Sequence, residues 1–299
     1  MSVSFLPSTA LRADPPPLPL PAHSWGVTDA LAAVDDVRRT QPGLLPVGAP
    51  VVVQALTTVV LRLGDLAVKV YPLGTDAARL DEVHCALAGC TSVSLPLAPA
   101  AVTPHGLVTV AAWVPGARPV SWPLLGALLR RFHDEAAGAP LPRWAPLTRL
   151  ADGVATLAPE HAEVLMNARE VVLDALDAVP SVLGQGAIHG DLSPSNVLRG
   201  PAGPLLIDLD WVAVGPREYD LASAPRRVRS GQLSRTTYAR FCAAYGHDVR
   251  AWAGLPLVDL VADLSGVAFR LWDDRHHGRP LDWLPAEIDR WRDPLSRAG

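Results

Sequence analysis

The sequence predicts an α+β protein in two lobes, a small antiparallel sheet followed by a mainly helical part. Three observations carry this. Between Pro50 and Tyr71 the chain passes through three short β-rich runs, 51–55, 58–63 and 66–71, with Gly64-Asp65 as a hairpin turn between the last two. After Gly116 the apolar residues recur at helical spacing instead. A chain of 299 residues is long enough to bury a large core and suggests about two units.

Composition narrows the class. Apolar residues make up 49% and charged residues 19%, which is a globular balance and not a disordered one. A net charge of -4 gives no basic stripe for nucleic acid, and neither nucleic acid nor a membrane is an expected partner. Cys85, Cys90 and Cys242 are too few and too irregular for a disulfide framework or a zinc site, so a reducing, cytoplasmic setting is expected.

Taken in order, residues 1–46 form a proline-rich arm and a short helix. The arm has almost no positive charge ahead of its apolar residues, unlike a secretory signal, and reads as a stiffened segment over the surface or as a loose tail. Thr28 is placed to cap a helix to Thr40 that puts Ala30, Leu31, Val34 and Val37 on one face. Residues 47–112 form the sheet lobe. Its third run holds Lys69, the only lysine among 26 lysines and arginines. A helix is expected over 75–88, carrying Asp81 and Glu82, and short runs between 95 and 109 complete the sheet. Residues 113–118 are a connector, and 119–299 are the helical lobe. There, helices are expected over 122–137, 159–179, 234–245, 255–272 and 285–292, with 140–157 as an irregular surface loop or an insertion near the acceptor site.

The chemistry concentrates in Ile188-His189-Gly190-Asp191-Leu192-Ser193-Pro194-Ser195-Asn196-Val197-Leu198 and in Leu205-Leu206-Ile207-Asp208-Leu209-Asp210-Trp211. Glycines and prolines exclude a helix here and leave loop, strand, turn, strand. Short apolar runs anchor the backbone while the polar residues project from the turns. Asp191, Asn196 five residues on and Asp208 seventeen residues on offer one hydroxyl-activating base and two hard oxygen ligands of the kind magnesium takes.

His189-Gly190-Asp191 followed by Asn196, and then Ile207-Asp208, resembles the aminoglycoside phosphotransferase and choline kinase-like family, whose fold is that of the protein kinases. The resemblance runs from about Val47 to Trp272. It implies a bilobal kinase-like fold, ATP or GTP with Mg2+, and a phosphoryl group passed to a small hydroxylated molecule. By this resemblance Asp191 orients or deprotonates the acceptor hydroxyl, and Asn196 and Asp208 hold magnesium on the nucleotide phosphates. Lys69 is implied to clamp the phosphates, with Glu82 as its partner in preference to Asp81, which points about 100° away on a helix. The connector becomes the hinge, where backbone groups from Ala112 to Val114 meet the adenine edge. Gln54-Ala55-Leu56-Thr57-Thr58 stands where the family has a glycine-rich loop; without glycine, its amides and the hydroxyls of Thr57 and Thr58 are left to cover the phosphates. Gly215-Pro216 and Asp220-Leu221-Ala222 match a further motif in which Asp220 braces the catalytic loop. His189 is expected as a packed, hydrogen-bonding residue. Asp210 is open between a carboxylate supporting or bridging the metal and a solvated turn residue.

The C-terminal region brings Trp252, Trp272, Trp283 and Trp291 together with Asp273, Asp274 and Asp282. Such a lining suits an amino sugar or another cation; the opposing reading is that the tryptophans pack helices and nearby arginines neutralise the acids. Two other classes stand beside the phosphotransferase. One is a kinase-like module that binds nucleotide without chemistry. The other is a metallohydrolase built on His189, Asp191, Asp208 and Asp210.

Overall fold

A computed structural model describes residues 18–22, 24–115, 120–200 and 203–297 of the chain. Most of the N-terminal arm and residues 116–118 of the expected hinge lie outside the described residues.

Helix α1 (Val27–Thr40) opens the described fold. Its cap is Gly26, whose N–H donates to Asp29 at 2.9 Å, so Thr28 lies inside the helix and is not its cap. Three strands follow, β1 (Val51–Ala55), β2 (Val59–Leu63) and β3 (Leu66–Tyr71). The β2–β3 register pairs Leu63 with Leu66 across Gly64-Asp65, where Gly64 takes a φ of 61° that suits a two-residue hairpin. Helix α2 (Ala77–Ala86) is capped by Asp76, and strands β4 (Ala101–Thr103) and β5 (Gly106–Ala112) complete an antiparallel five-stranded sheet in the order β1-β2-β3-β5-β4.

Strand alternation decides what this lobe presents to the rest of the chain. Val68 and Val70 of β3 join Val59, Leu61, Val108 and Val110 against Ala30, Ala33, Val34 and Val37 of α1. Lys69 and Tyr71 therefore face the other way. The sequence reading grouped α1 with the arm; in the fold its buried stripe supplies the apolar backing of the sheet.

The second lobe is helical around two small ladders. Helices α3 (Trp122–Glu135), α4 (Thr148–Val154) and α5 (Pro159–Asp177) precede strand β6 (Gln185–Ile188), then come strands β7 (Val197–Gly200), β8 (Gly203–Leu206) and β9 (Ala213–Pro216). Here β6 pairs with β9 and β7 with β8, both antiparallel. The chain ends in α6 (Glu218–Leu221), α7 (Ser223–Arg229), α8 (Arg235–Tyr245), α9 (Leu255–His276) and α10 (Leu284–Trp291). Within residues 140–157 the part 148–154 departs from the expected irregular loop, and 140–147 keeps to it. Leu147, Leu150 and Val154 are buried, and α4 packs on α9. The Pro, Trp and Arg content that reads as loop conceals an apolar spacing of three and four residues.

The lobes are joined at more than one point. Thr91 and Ser92 each donate backbone and hydroxyl hydrogens to Glu135 of α3, and Leu206 of β8 bonds to Ser92 and Ser94 through the backbone. The described part of the arm spans both lobes. The Leu18 side chain is buried with Tyr71, Leu80 and Leu107, its carbonyl accepts from Arg149, and the Pro21 carbonyl accepts from the Trp272 indole.

Helices α3 and α8 cross where Gly126 lets them touch, since a Cβ there would lie 2.6 Å from the Phe241 carbonyl oxygen. Gly126→Val is therefore expected to lower stability by about 1–3 kcal/mol, measurable as a shift of the urea midpoint.

Candidate active site

Four polar residues meet because the two ladders nest. Asp191 follows the end of β6, Asn196 precedes β7 and Asp208 follows β8, while the Ile207 N–H donates to the Asn196 carbonyl at 3.0 Å and holds the two loops together. Lys69 arrives from the sheet lobe. Its Nζ donates to Asp208 Oδ1 at 2.6 Å and to Asp210 Oδ2 at 2.5 Å, and Tyr71 donates its hydroxyl to the other Asp210 oxygen at 2.8 Å.

The electrostatics follow from burial. Burial works against the Lys69 ammonium, but Asp210, Tyr71 and Asp208 outweigh it and hold its pKa well above the usual lysine range. Asp210 is 8% exposed, and burial pushes its carboxyl up to about 6 against the pull of Lys69. This excludes the solvated-turn alternative for Asp210. Burial also works to raise Asp208, yet the Lys69 charge and hydrogen bond keep it below the normal range. Among the described residues Asp191 has no such cation in contact, and burial together with the Asp208 charge raises it. The two carboxyls are thus displaced in opposite directions by their surroundings.

Backbone geometry is specialised at the same place. Asp208 adopts the left-handed conformation with φ 63°, which aspartate tolerates better than most residues. Gly190 sits at φ 81° against Trp211, where a Cβ would come within 2.3 Å of the carbonyl oxygen. Asp220, at the start of the helical segment after β9, accepts from the N–H groups of His189 at 2.6 Å and Gly190 at 3.0 Å. His133 of α3 bridges Asp220 and the Tyr245 hydroxyl. His189 bonds through Nε2 to the Ile207 carbonyl, so its Nδ1 accepts from the Asp191 N–H. With both ring nitrogens engaged, His189 offers no lone pair to a metal, and among the described residues no group of three His, Cys, Asp or Glu side chains is placed to bind one. The metallohydrolase alternative loses its nitrogen ligand.

Asn196 donates to the Asp191 carbonyl at 2.8 Å and lies 3.3 Å from its carboxylate, which leaves the Asn196 Oδ1 without a hydrogen-bond partner among the described residues. Together with Asp208 this is a pair of hard oxygen donors, and Mg2+ is ordinarily held by one or two protein oxygens plus phosphates and water. The residues fit the ion.

The expected Lys69–Glu82 pair is corrected. Lys69 pairs with Asp208 and Asp210; Glu82 is exposed and lies near enough to Arg79 to act on its charge, while half-buried His84 feels the Lys69 charge. Leu80, Val83 and Leu87 turn their stripe inward, and Glu82 and His84 flank Val83 by about 100° on opposite sides. Asp81 instead accepts from the Ala100 N–H at 3.0 Å. Thr57 and Thr58 occupy the tight β1–β2 turn, closed by a bond from the Leu56 N–H to the Thr58 carbonyl. Ala112 pairs with Leu66 at the end of β5, and Val114 lies against Gly200.

A cleft of about 750 Å³ opens beside Asp191, lined among others by Trp144, Arg149, Trp211, Tyr219 and Phe269. The C-terminal acids and tryptophans do not line it. Asp273 and Asp274 pair with Arg279, Trp283 donates to Asp274, Trp252 and Trp272 donate to backbone carbonyls, and Trp291 is fully buried. Sequence reasoning also passed over Tyr71 and Arg149. Tyr71 was legible as the residue two along from Lys69 on one strand face; nothing in its spacing marks Arg149.

The fold and this arrangement of Lys69, Asp191, Asn196 and Asp208 define a kinase-like protein. The chain belongs to the Phosphotransferase enzyme family, whose profile matches residues 51–258. Among solved structures it is similar to a choline/ethanolamine kinase family protein from Mesorhizobium loti, with a TM-score of 0.59 and 20% identity over 89% of this chain and 94% of that one. Amicoumacin kinase hAmiN, in complex with AMP-PNP, Ca2+ and Ami, matches with a TM-score of 0.65 and 14% identity over 90% of this chain and 95% of that one. Spectinomycin phosphotransferase APH(9)-Ia, in complex with ADP and spectinomycin, matches at 0.52 and 14% over 89% and 98%. At these identities the likeness is one of fold. A curated relative, homoserine kinase of Phenylobacterium zucineum (strain HLK1), is 32% identical over 178 residues, which is 57% of this chain. The chain spans about half the length of that relative, 51%. Among the described residues no helix is long and apolar enough to cross a membrane.

Asp220→Ala would strand buried N–H donors of the catalytic loop, at about 1–3 kcal/mol for each one left unsatisfied. The expected result is a lower unfolding midpoint together with a lower rate, checked by urea unfolding beside an activity assay.

Proposed function

We propose that this chain transfers the γ-phosphoryl group of ATP, or of GTP, to a hydroxyl of a small molecule, with Mg2+ as cofactor. The observation that carries the reading is the Lys69–Asp208 pair set close to Asp191, which borders an open cleft. Lys69 holds Asp208 below the usual carboxylate range, and Asp191, raised by burial and the Asp208 charge, borders a cavity large enough for a small acceptor. Solved relatives of the same fold in complex with AMP-PNP or ADP add support for a nucleotide.

In this reading the acceptor hydroxyl lies against Asp191. Its oxygen forms a new bond to the γ-phosphorus while the bond from that phosphorus to the β–γ bridging oxygen breaks; the hydroxyl proton passes to the Asp191 carboxylate, and the nucleoside diphosphate leaves. Lys69 meets the α and β phosphates with the ammonium that Asp208 and Asp210 orient. Mg2+, held by Asn196 and Asp208, supplies charge neutralisation on the phosphates when bound. Asn196 also restrains the Asp191 loop through its amide hydrogen bond. Asp220 and His189 keep that loop in place and take no part in the transfer. The catalysis is positioning and charge compensation.

The experiment is a phosphate-transfer assay of the purified chain with ATP and with GTP against a panel of hydroxylated acceptors. Asp191→Asn is expected to lower kcat about 100- to 10,000-fold while unfolding and nucleotide binding stay unchanged. Asp208→Asn is expected to abolish turnover in a protein whose circular dichroism matches the parent. Near-normal turnover in either variant would sink the assignment of that residue.

A further inference from the structure

The cleft beside Asp191 is lined by three arginines, Arg79, Arg143 and Arg149, against two carboxylates, Asp76 and Asp191. Asp76 is already engaged in capping α2, where it accepts from the Arg79 backbone N–H. Ion pairs with aspartates take up Arg226, Arg229, Arg250, Arg279 and Arg290 elsewhere in the helical lobe. Among the described residues none of the three cleft arginines makes an ion pair, and the Arg143 side chain makes no hydrogen bond.

Arg149 is the most constrained of them. Its guanidinium lies 4.7 Å over the Trp211 ring, and its Nε donates to the Leu18 carbonyl at 2.6 Å. These two contacts hold the plane of the fork, while among the described residues its two terminal nitrogens have no hydrogen-bond partner. Burial lowers its pKa to about 10, against the charges of Asp210, Asp208 and Asp191, so the group is a cation at neutral pH. A partly buried guanidinium that is pre-aimed and unpaired matches the two oxygens of an oxyanion. A polycationic amino sugar would meet like charge here, at a cost that desolvation increases.

We propose that the acceptor carries an oxyanion, held by Arg149 with help from Arg143, besides the hydroxyl that Asp191 engages. A carboxylate is the form that adds least negative charge next to the nucleotide phosphates, which makes a hydroxy acid or hydroxy amino acid the substrate class. The proposal rests on the phosphotransferase reading above and deepens it.

The test offers the full chain ATP or GTP with Mg2+ and four sets of acceptors: hydroxy acids and hydroxy amino acids such as glycerate and homoserine, the matching amides and amino alcohols, sugar phosphates, and aminoglycosides. The expected result is transfer to an acid, with kcat/KM about 10- to 100-fold lower for its amide. Transfer confined to sugar phosphates would keep the oxyanion and assign it to phosphate. Arg149→Met and, separately, the exposed Arg143→Gln are each expected to raise the acceptor KM, by about tenfold or more for Arg149, with the nucleotide KM unchanged, and Arg149→Lys to recover part of the loss. Should Arg149→Met fail to fold, Arg143→Gln and the acid-to-amide ratio carry the test. Transfer to aminoglycosides or neutral alcohols with no preference for the anion would overturn the proposal and leave the phosphotransferase reading standing. So would a rise in nucleotide KM with an unmoved acceptor KM, which would assign Arg149 to the nucleotide. No transfer to any acceptor would overturn both.

Discussion

The Lys69 ammonium is the interaction on which the arrangement of the site depends. It bonds to Asp208 and Asp210, residues 139 and 141 positions away, and so joins the sheet lobe to the β8–β9 segment of the helical lobe. Each of these charges is tolerable in a buried place only because the others are there. Asp210 shows the tension: burial drives its carboxyl toward neutrality, and Lys69 and the Tyr71 hydroxyl pull it back. The sheet makes the clamp possible. With Val68 and Val70 committed to α1, the pleat turns Lys69 and Tyr71 to the opposite face, where they meet Asp208 and Asp210.

On the other side of the cleft the catalytic loop is held by hydrogen bonds to groups that do no chemistry. Asp220 takes up two backbone N–H groups of the loop and is itself tied to Tyr245 through His133. Gly190 lets the loop pass against Trp211 at a distance that a side chain would forbid. Asp191 is thus aimed by a rigid frame, which is where much of the rate of a phosphoryl transfer originates.

The acceptor side has a different character. Its walls come from α4, α9 and the described part of the arm, with Leu20, Leu147 and Phe269 among its apolar contributors. Leu18 and Pro21 touch opposite lobes through side chain and carbonyl, so the arm is part of the cleft's construction as far as it is described. The aromatic and acidic residues near the C-terminus spend their polar groups inside the fold, and the unpaired cations on the cleft are arginines brought in from α2 and from the segment before and within α4.

The sequence by itself determined the α+β two-lobe plan, the hairpin at Gly64-Asp65, most helices of the second lobe and the Asp191, Asn196, Asp208 constellation. All of these rest on local causes: the period of apolar residues, turn residues with positive φ, and a short motif in which spacing along the chain is nearly spacing in space. Only the tertiary structure decided which flank of α2 lies toward the Lys69 charge, because about 100° per residue puts Glu82 and His84 on opposite sides of Val83 and the stripe of α2 is set by what it packs on. It alone made Asp210 a buried partner of Lys69 and not a solvated turn residue, sent α1 under the sheet, and set the short helix α4 within residues 140–157 against α9. It also decided the charge of the acceptor cleft. Whether an arginine is paired or free depends on carboxylates distant in sequence, and Coulomb interactions are set by distance in the folded chain.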